Sequence, residues 1–92
     1  MITAKVGWKI TTTKDRDGDR EKNELMIMYD EDGALKMIEK IAEETAAYNY
    51  KLFRYERSYY KSDDLMQVVF QTKDRKDRLF IEAKRVEFAE EG

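Results

Sequence analysis

The chain has 92 residues, with 18 Lys plus Arg against 20 Asp plus Glu, and contains no His, Cys or Pro. That length fits one domain. The missing Cys and His exclude a disulfide framework, a thiolate nucleophile, a zinc–thiolate site and the usual general base.

No apolar run approaches the ~18 residues of a membrane span, and the N-terminus lacks a signal-peptide core. The expectation is therefore a soluble, cytoplasmic domain with no membrane contact, and the absence of cysteine agrees with a reducing compartment. The formal charge of −2 argues against a general nucleic-acid binder, which is usually strongly basic. Eleven aromatics (one Trp, four Phe, six Tyr) supply enough apolar area for a modest core.

Residues 2–13 alternate with period two. Ile2, Ala4, Val6, Trp8, Ile10 and Thr12 share one face, which predicts a half-buried strand. Residues 14–23 hold no apolar side chain. Asp17-Gly18 near their middle predicts a tight hairpin turn, because that pair tolerates positive φ. Residues 24–29 read as a second strand with apolar residues on both faces, Leu25, Ile27 and Tyr29 against Met26 and Met28. Such a pattern predicts a central strand covered on both sides.

Asp30 or Asp32 is positioned to cap a helix over 34–49. Leu35, Ile38, Ile41, Ala42, Thr45 and Tyr48 form its apolar stripe. Lys36–Lys40 and Glu39–Glu43 are like-charge pairs four residues apart, so packing and not ion pairing must hold this helix.

Residues 50–60, rich in Tyr and Phe, predict a third strand of undecided register. After a turn at 61–64, residues 65–72 predict a fourth, with Met66, Val68 and Phe70 inward. After a charged turn at 73–77, residues 78–88 predict a fifth. Its apolar phase shifts from Leu79, Ile81 and Ala83 to Val86 and Phe88. A β-bulge near Lys84-Arg85 accounts for the shift, with a helix over 79–90 as the rival. The predicted fold is one α+β domain over 1–92, in the order β-β-α-β-β-β, an antiparallel sheet with one helix packed on one face.

Three constellations bear on function. From Thr13 to Glu24 the chain overlays the spacing of an EF-hand loop, with Asp15, Asp17, Gly18 and Glu24 in register. Thr13 replaces the first acid, Arg20 intrudes, and strands flank the loop, so a solvated hairpin is the preferred reading and no metal or cofactor is assigned. The strand at 51–61 interleaves cations with aromatics. Arg54, Tyr55, Arg57, Tyr59, Tyr60 and Lys61 are its candidate partner-binding residues, with Asp17 and Asp19 of the hairpin loop as a second contact. The remaining acids read as solvated faces. No nucleophile elbow or Gly-rich phosphate loop is present, so the chain is read as non-catalytic.

In size, charge richness, absence of Cys and His, and single α+β plan, the chain resembles small proteins of phages and mobile elements. Many of those are stoichiometric inhibitors of host machinery, anti-CRISPR proteins among them. The resemblance implies a protein-binding module that blocks a larger host protein sterically. The alternative is a nucleic-acid-binding accessory protein using the same aromatic–basic strand. A homodimer through a free sheet edge is a further expectation.

Overall fold

The computed structural model describes residues 2–48 and 56–91. In chain order they form β1 (Ile2–Arg16), β2 (Asp19–Met28), α1 (Glu31–Tyr48), β3 (Glu56–Lys61), β4 (Leu65–Gln71) and β5 (Asp77–Glu91). The strands make one antiparallel sheet in the order β2-β1-β5-β4-β3, and α1 lies across one face. The predicted order and class hold. The part of the predicted third strand at 50–55 lies outside the described residues.

β1 and β2 run on through the charged segment that was expected to be loop, leaving Asp17 and Gly18 as the turn. Their φ angles are 51° and 92°, the left-handed pair that matches the twist of the flanking strands. The apolar-free stretch folds as strand because Lys14, Asp15 and Arg16 pair directly with Glu21, Arg20 and Asp19. Gly18→Ala places a Cβ in that left-handed conformation. The expected cost is about 1 kcal/mol, read as a lower urea midpoint at unchanged m-value.

Of the two expected caps, Asp30 and Asp32, the structure uses Asp30, and the helix begins at Glu31, three residues before the expected 34. Asp30 Oδ2 accepts from the Gly33 backbone N–H at 3.0 Å, and the Asp30 carbonyl accepts from Ala34 N–H at 2.9 Å. Ala34, Ile38 and Ala42 of α1 meet Trp8 and Ile10 of β1, Met66, Val68 and Phe70 of β4, and Leu79, Ile81 and Ala83 of β5. The core is therefore centred on β1, β5 and β4. A helix about 10 Å across cannot roof five strands spaced about 4.8 Å apart, so the outer strands β2 and β3 are left thinly covered.

Two expectations are corrected. β2 is an edge strand, not a central one. Its two apolar faces are shared out, with Met28 packing toward the helix and Ile27 lying over Gly7 on the open face. β5 is an unbroken strand, which removes both the bulge at Lys84-Arg85 and the helix over 79–90. Its register against β1 is continuous from Arg16↔Asp77 to Ile2↔Glu91. The apolar phase shifts because Val86 and Phe88 belong to the open face, opposite Gly7 and Lys5. The irregularity sits instead in β2, where Ile10 pairs with Met26 and Thr11 with Glu24, leaving Leu25 as the extra residue.

β1 and β5 also outrun their neighbours. β2 ends its pairing at Trp8↔Met28 and β4 at Leu65↔Lys84, so Ile2–Gly7 of β1 and Val86–Glu91 of β5 continue as a two-stranded ribbon. Fifteen-residue strands give the molecule its long axis, 51 Å against 25 and 21 Å.

Candidate functional site

β3 carries the described part of the predicted binding strand. Arg57, Tyr59 and Lys61 pair with Phe70, Val68 and Met66, whose side chains face α1. Ser58 and Tyr60 pair with Val69 and Gln67 on the open face. The two tyrosines are therefore exposed on opposite sides of one edge strand, Tyr59 at 63% and Tyr60 at 54%. Arg54 and Tyr55 lie outside the described residues.

Arg57 is engaged within the molecule. Its Nη1 lies 2.8 Å from Glu43 Oε1 on α1, and its guanidinium sits 5.1 Å from the Tyr59 ring centroid and 5.3 Å from that of Phe70. It ties the edge strand to the helix and backs the Tyr59 ring. Its Nε is buried without a hydrogen-bond partner among the described residues. Lys61 Nζ reaches Glu31 Oε1 at the helix start, a longer pair at 3.9 Å. Of the predicted cations on β3, both described ones are thus turned toward helix carboxylates.

Between α1 and β3 runs a cleft of about 260 Å³. Leu35 and Ile38 form its helix wall, Met66 and Val68 its floor, and Tyr59 and Lys61 its outer rim. It exists because the helix stripe is centred on β5 and β1 and leaves the β3 side open. Its lining is mostly apolar with a polar rim, the composition of a seat for a partner's side chain.

The hairpin holds Asp17 and Asp19 at the other side of the sheet, where two strands separate β2 from β4 and three separate it from β3. The structure does not bring them together with Tyr59 and Tyr60. Asp19 lines a polar concavity with Lys14, Arg16, Arg20 and Glu21, where opposite charges alternate. Asp17 sits in the turn, its N–H donating to the Lys76 carbonyl at 2.7 Å.

The most constrained acid of the hairpin is Asp15, which is 5% exposed. Its Oδ1 accepts from Gly18 N–H at 3.1 Å, and its Oδ2 faces Arg78 at 3.2 Å and Arg20 at 3.5 Å. Burial pushes its carboxyl up. The Gly18 hydrogen bond, then the hydrogen bond and charge of Arg78, then Arg20, outweigh that and hold it below its ordinary value. Glu24 is also lowered, by the hydrogen bond and charge of Lys9 at 2.7 Å. In the β4–β5 turn, Asp74 is lowered by the Thr72 hydroxyl and the Lys76 N–H.

A carboxyl depressed in the folded state adds stability above its unfolded value, and that stability disappears as pH falls through the folded value. The urea midpoint should thus be flat above about pH 5 and fall below about pH 4. Asp15→Asn should flatten part of that fall, and equal acid slopes in wild type and variant would count against this assignment.

The EF-hand overlay does not carry into geometry. Asp15 and Glu24 face arginine and lysine, and no group of three or more Asp or Glu that could hold a metal forms among the described residues. Sequence reasoning missed Glu43 as the partner of Arg57 and missed the exposure of Leu25 and Ile27 on an edge. Both depend on contacts between segments distant along the chain, for which the local pattern holds no signal. No helix among the described residues is long and apolar enough to cross a membrane. Comparison with protein-family models, with curated proteins and with solved structures finds no match to this chain.

Proposed function

We propose that this chain is a non-catalytic protein-binding module that works by docking its β3 edge against a larger protein. One observation carries the reading: Tyr59 and Tyr60 stand exposed on a free edge strand, beside an apolar cleft rimmed by Tyr59 and Lys61. Exposed tyrosines on a rigid element are favoured interface anchors, and the cleft offers the pocket that such anchors surround. The mechanism is steric, since a bound partner would have this wedge of sheet and helix laid over its surface. The narrower form, an inhibitor of host machinery like the small phage proteins it resembles, rests on size and plan alone.

Nucleic-acid binding through the same strand has less support. Tyr59 and Tyr60 face opposite sides and cannot stack successive bases, and Arg57 and Lys61 are directed to Glu43 and Glu31. The test is an affinity pull-down from native host lysate with and without nuclease, run in parallel with Tyr59→Ala and Tyr60→Ala. A protein retained through nuclease treatment and lost from the variants supports the reading. Retention that vanishes with nuclease, or that weakens steeply with added salt, would transfer it to nucleic acid.

A further inference from the structure

We propose that the cleft between α1 and β3 takes one basic side chain of the protein that docks there, a lysine or arginine whose methylene stem lies on the apolar floor and whose cation meets Glu39. The inference rests on the β3 docking reading and adds to it the chemistry of the partner's anchor.

Glu31, Leu35, Glu39 and Glu43 follow one another at four-residue spacing and form one stripe along α1. That stripe is turned toward β3. Arg57 of β3 pairs with Glu43 at 2.8 Å, and Lys61 with Glu31 at 3.9 Å. Tyr59 stands between those two cations on the same face of β3 and brings no charge. Glu39 is therefore the unmatched acid of the stripe. It lines the cleft, and it has no ion pair among the described residues. Lys36 and Lys40 are exposed on the same helix, but they fall further round it toward solvent and do not line the cleft.

The remaining surfaces suit a long stem. Met66 and Val68 make a buried apolar floor, and Leu35 and Ile38 the wall. Long cationic side chains lay their methylenes on such a surface and keep the charged head at its margin. There the head meets the Glu39 carboxylate, and the Tyr59 ring, 63% exposed even with Arg57 beside it, adds a second attraction. Any occupant that seals the cleft also takes Glu39 out of water. An apolar anchor would leave that carboxylate without a partner, an acidic one would repel it, and a nucleic-acid strand would bring phosphates against it. Lys61 is the other charge on the rim, and its pairing with Glu31 places it at the helix start.

The test titrates the full chain, isotope-labelled for amide NMR, with three capped peptides Gly-Gly-X-Gly-Gly and with a ten-nucleotide oligo-dT. X is lysine, norleucine (lysine without its ammonium group) or glutamate. The lysine peptide should move the amides of Leu35, Glu39 and Tyr59 and bind about fivefold tighter than the norleucine peptide. That advantage should vanish in Glu39→Gln and shrink at about 0.5 M salt, with norleucine binding unchanged in both. Glu39 is exposed, so its variant keeps the fold, and Leu35→Ala, which shortens the apolar wall, should weaken both peptides. Equal binding of the lysine and norleucine peptides, a lysine advantage that survives Glu39→Gln, or tighter binding of the glutamate peptide or oligo-dT at these amides would each overturn the proposal. So would shifts that follow protein concentration without any peptide, which would make a second copy the occupant, or no movement with any peptide. In the pull-down, a partner kept by Glu39→Gln and lost by Tyr59→Ala leaves the docking edge standing and removes the basic anchor. A partner kept by both tyrosine variants removes the docking edge, while the peptides still report on the cleft.

Discussion

Ile81→Ala should lower the unfolding free energy by about 3–5 kcal/mol, a large loss for a single core truncation. Ile81 is fully buried in β5, paired with Thr12 on one side and Val68 on the other, on the face that α1 covers. β5 is the strand through which β4 and β3 are joined to β1 and β2, so its neighbours on both sides are fixed and cannot close over a void. The cost is therefore the lost transfer energy of the deleted methylenes together with a cavity that stays open. A domain of this size has about 5–14 kcal/mol in all, so the variant would be left close to marginal at ambient temperature. Leu35→Ala, on the half-buried cleft wall, should cost clearly less. Urea unfolding of both variants checks the ranking, and an Ile81→Ala loss no larger than that of Leu35→Ala would show that the core is centred elsewhere.

The same residue shows which part of the fold was legible beforehand. Period two in 2–13, 65–72 and 79–83 identified the strands and the inward sets Trp8/Ile10, Met66/Val68/Phe70 and Leu79/Ile81/Ala83, because alternation directly encodes which side of a pleat is dry. Asp17-Gly18 fixed the hairpin, and the acids Asp30 and Asp32 marked the neighbourhood of the helix start without choosing between them, each through local backbone chemistry. Strand order is a different kind of information. β5 pairs with β1 across more than sixty residues, and nothing in 78–91 marks that partner. For that reason β2 read as central when it lies at the edge, and the second apolar phase of β5 read as a bulge when it is the floor of the patch over Gly7.

The candidate site divides in the same way. Alternation required Tyr59 and Tyr60 to oppose each other across the sheet, but it could not say which of them stands on the helix side. Arg57 read as an anchor because cations beside aromatics recur at interfaces. Its pairing with Glu43 and its stacking beside Phe70 come only from the way α1 crosses the sheet.

That division gives the last prediction. Tyr59→Ala should weaken binding of the β3 partner by more than about 2 kcal/mol, roughly a thirtyfold rise in Kd, while leaving the urea midpoint nearly unchanged. The ring is 63% exposed, so its removal deletes little that the folded monomer uses. In a complex, the same ring would close the rim of the cleft over Met66 and Val68, where truncation opens a desolvated contact to water. Arg57→Ala should behave differently. It removes the Glu43 pair and the support under both rings, so it should cost about 1 kcal/mol of stability and should also loosen Tyr59. Its binding loss should then be smaller than that of Tyr59→Ala and coupled to it, so the double variant falls short of the sum of the two. Isothermal titration of the purified partner against the three variants, with urea unfolding of each, separates the two roles. An Arg57 loss that adds fully to that of Tyr59 would make the guanidinium a contact in its own right, and full affinity in Tyr59→Ala with the fold intact would remove β3 as the docking edge.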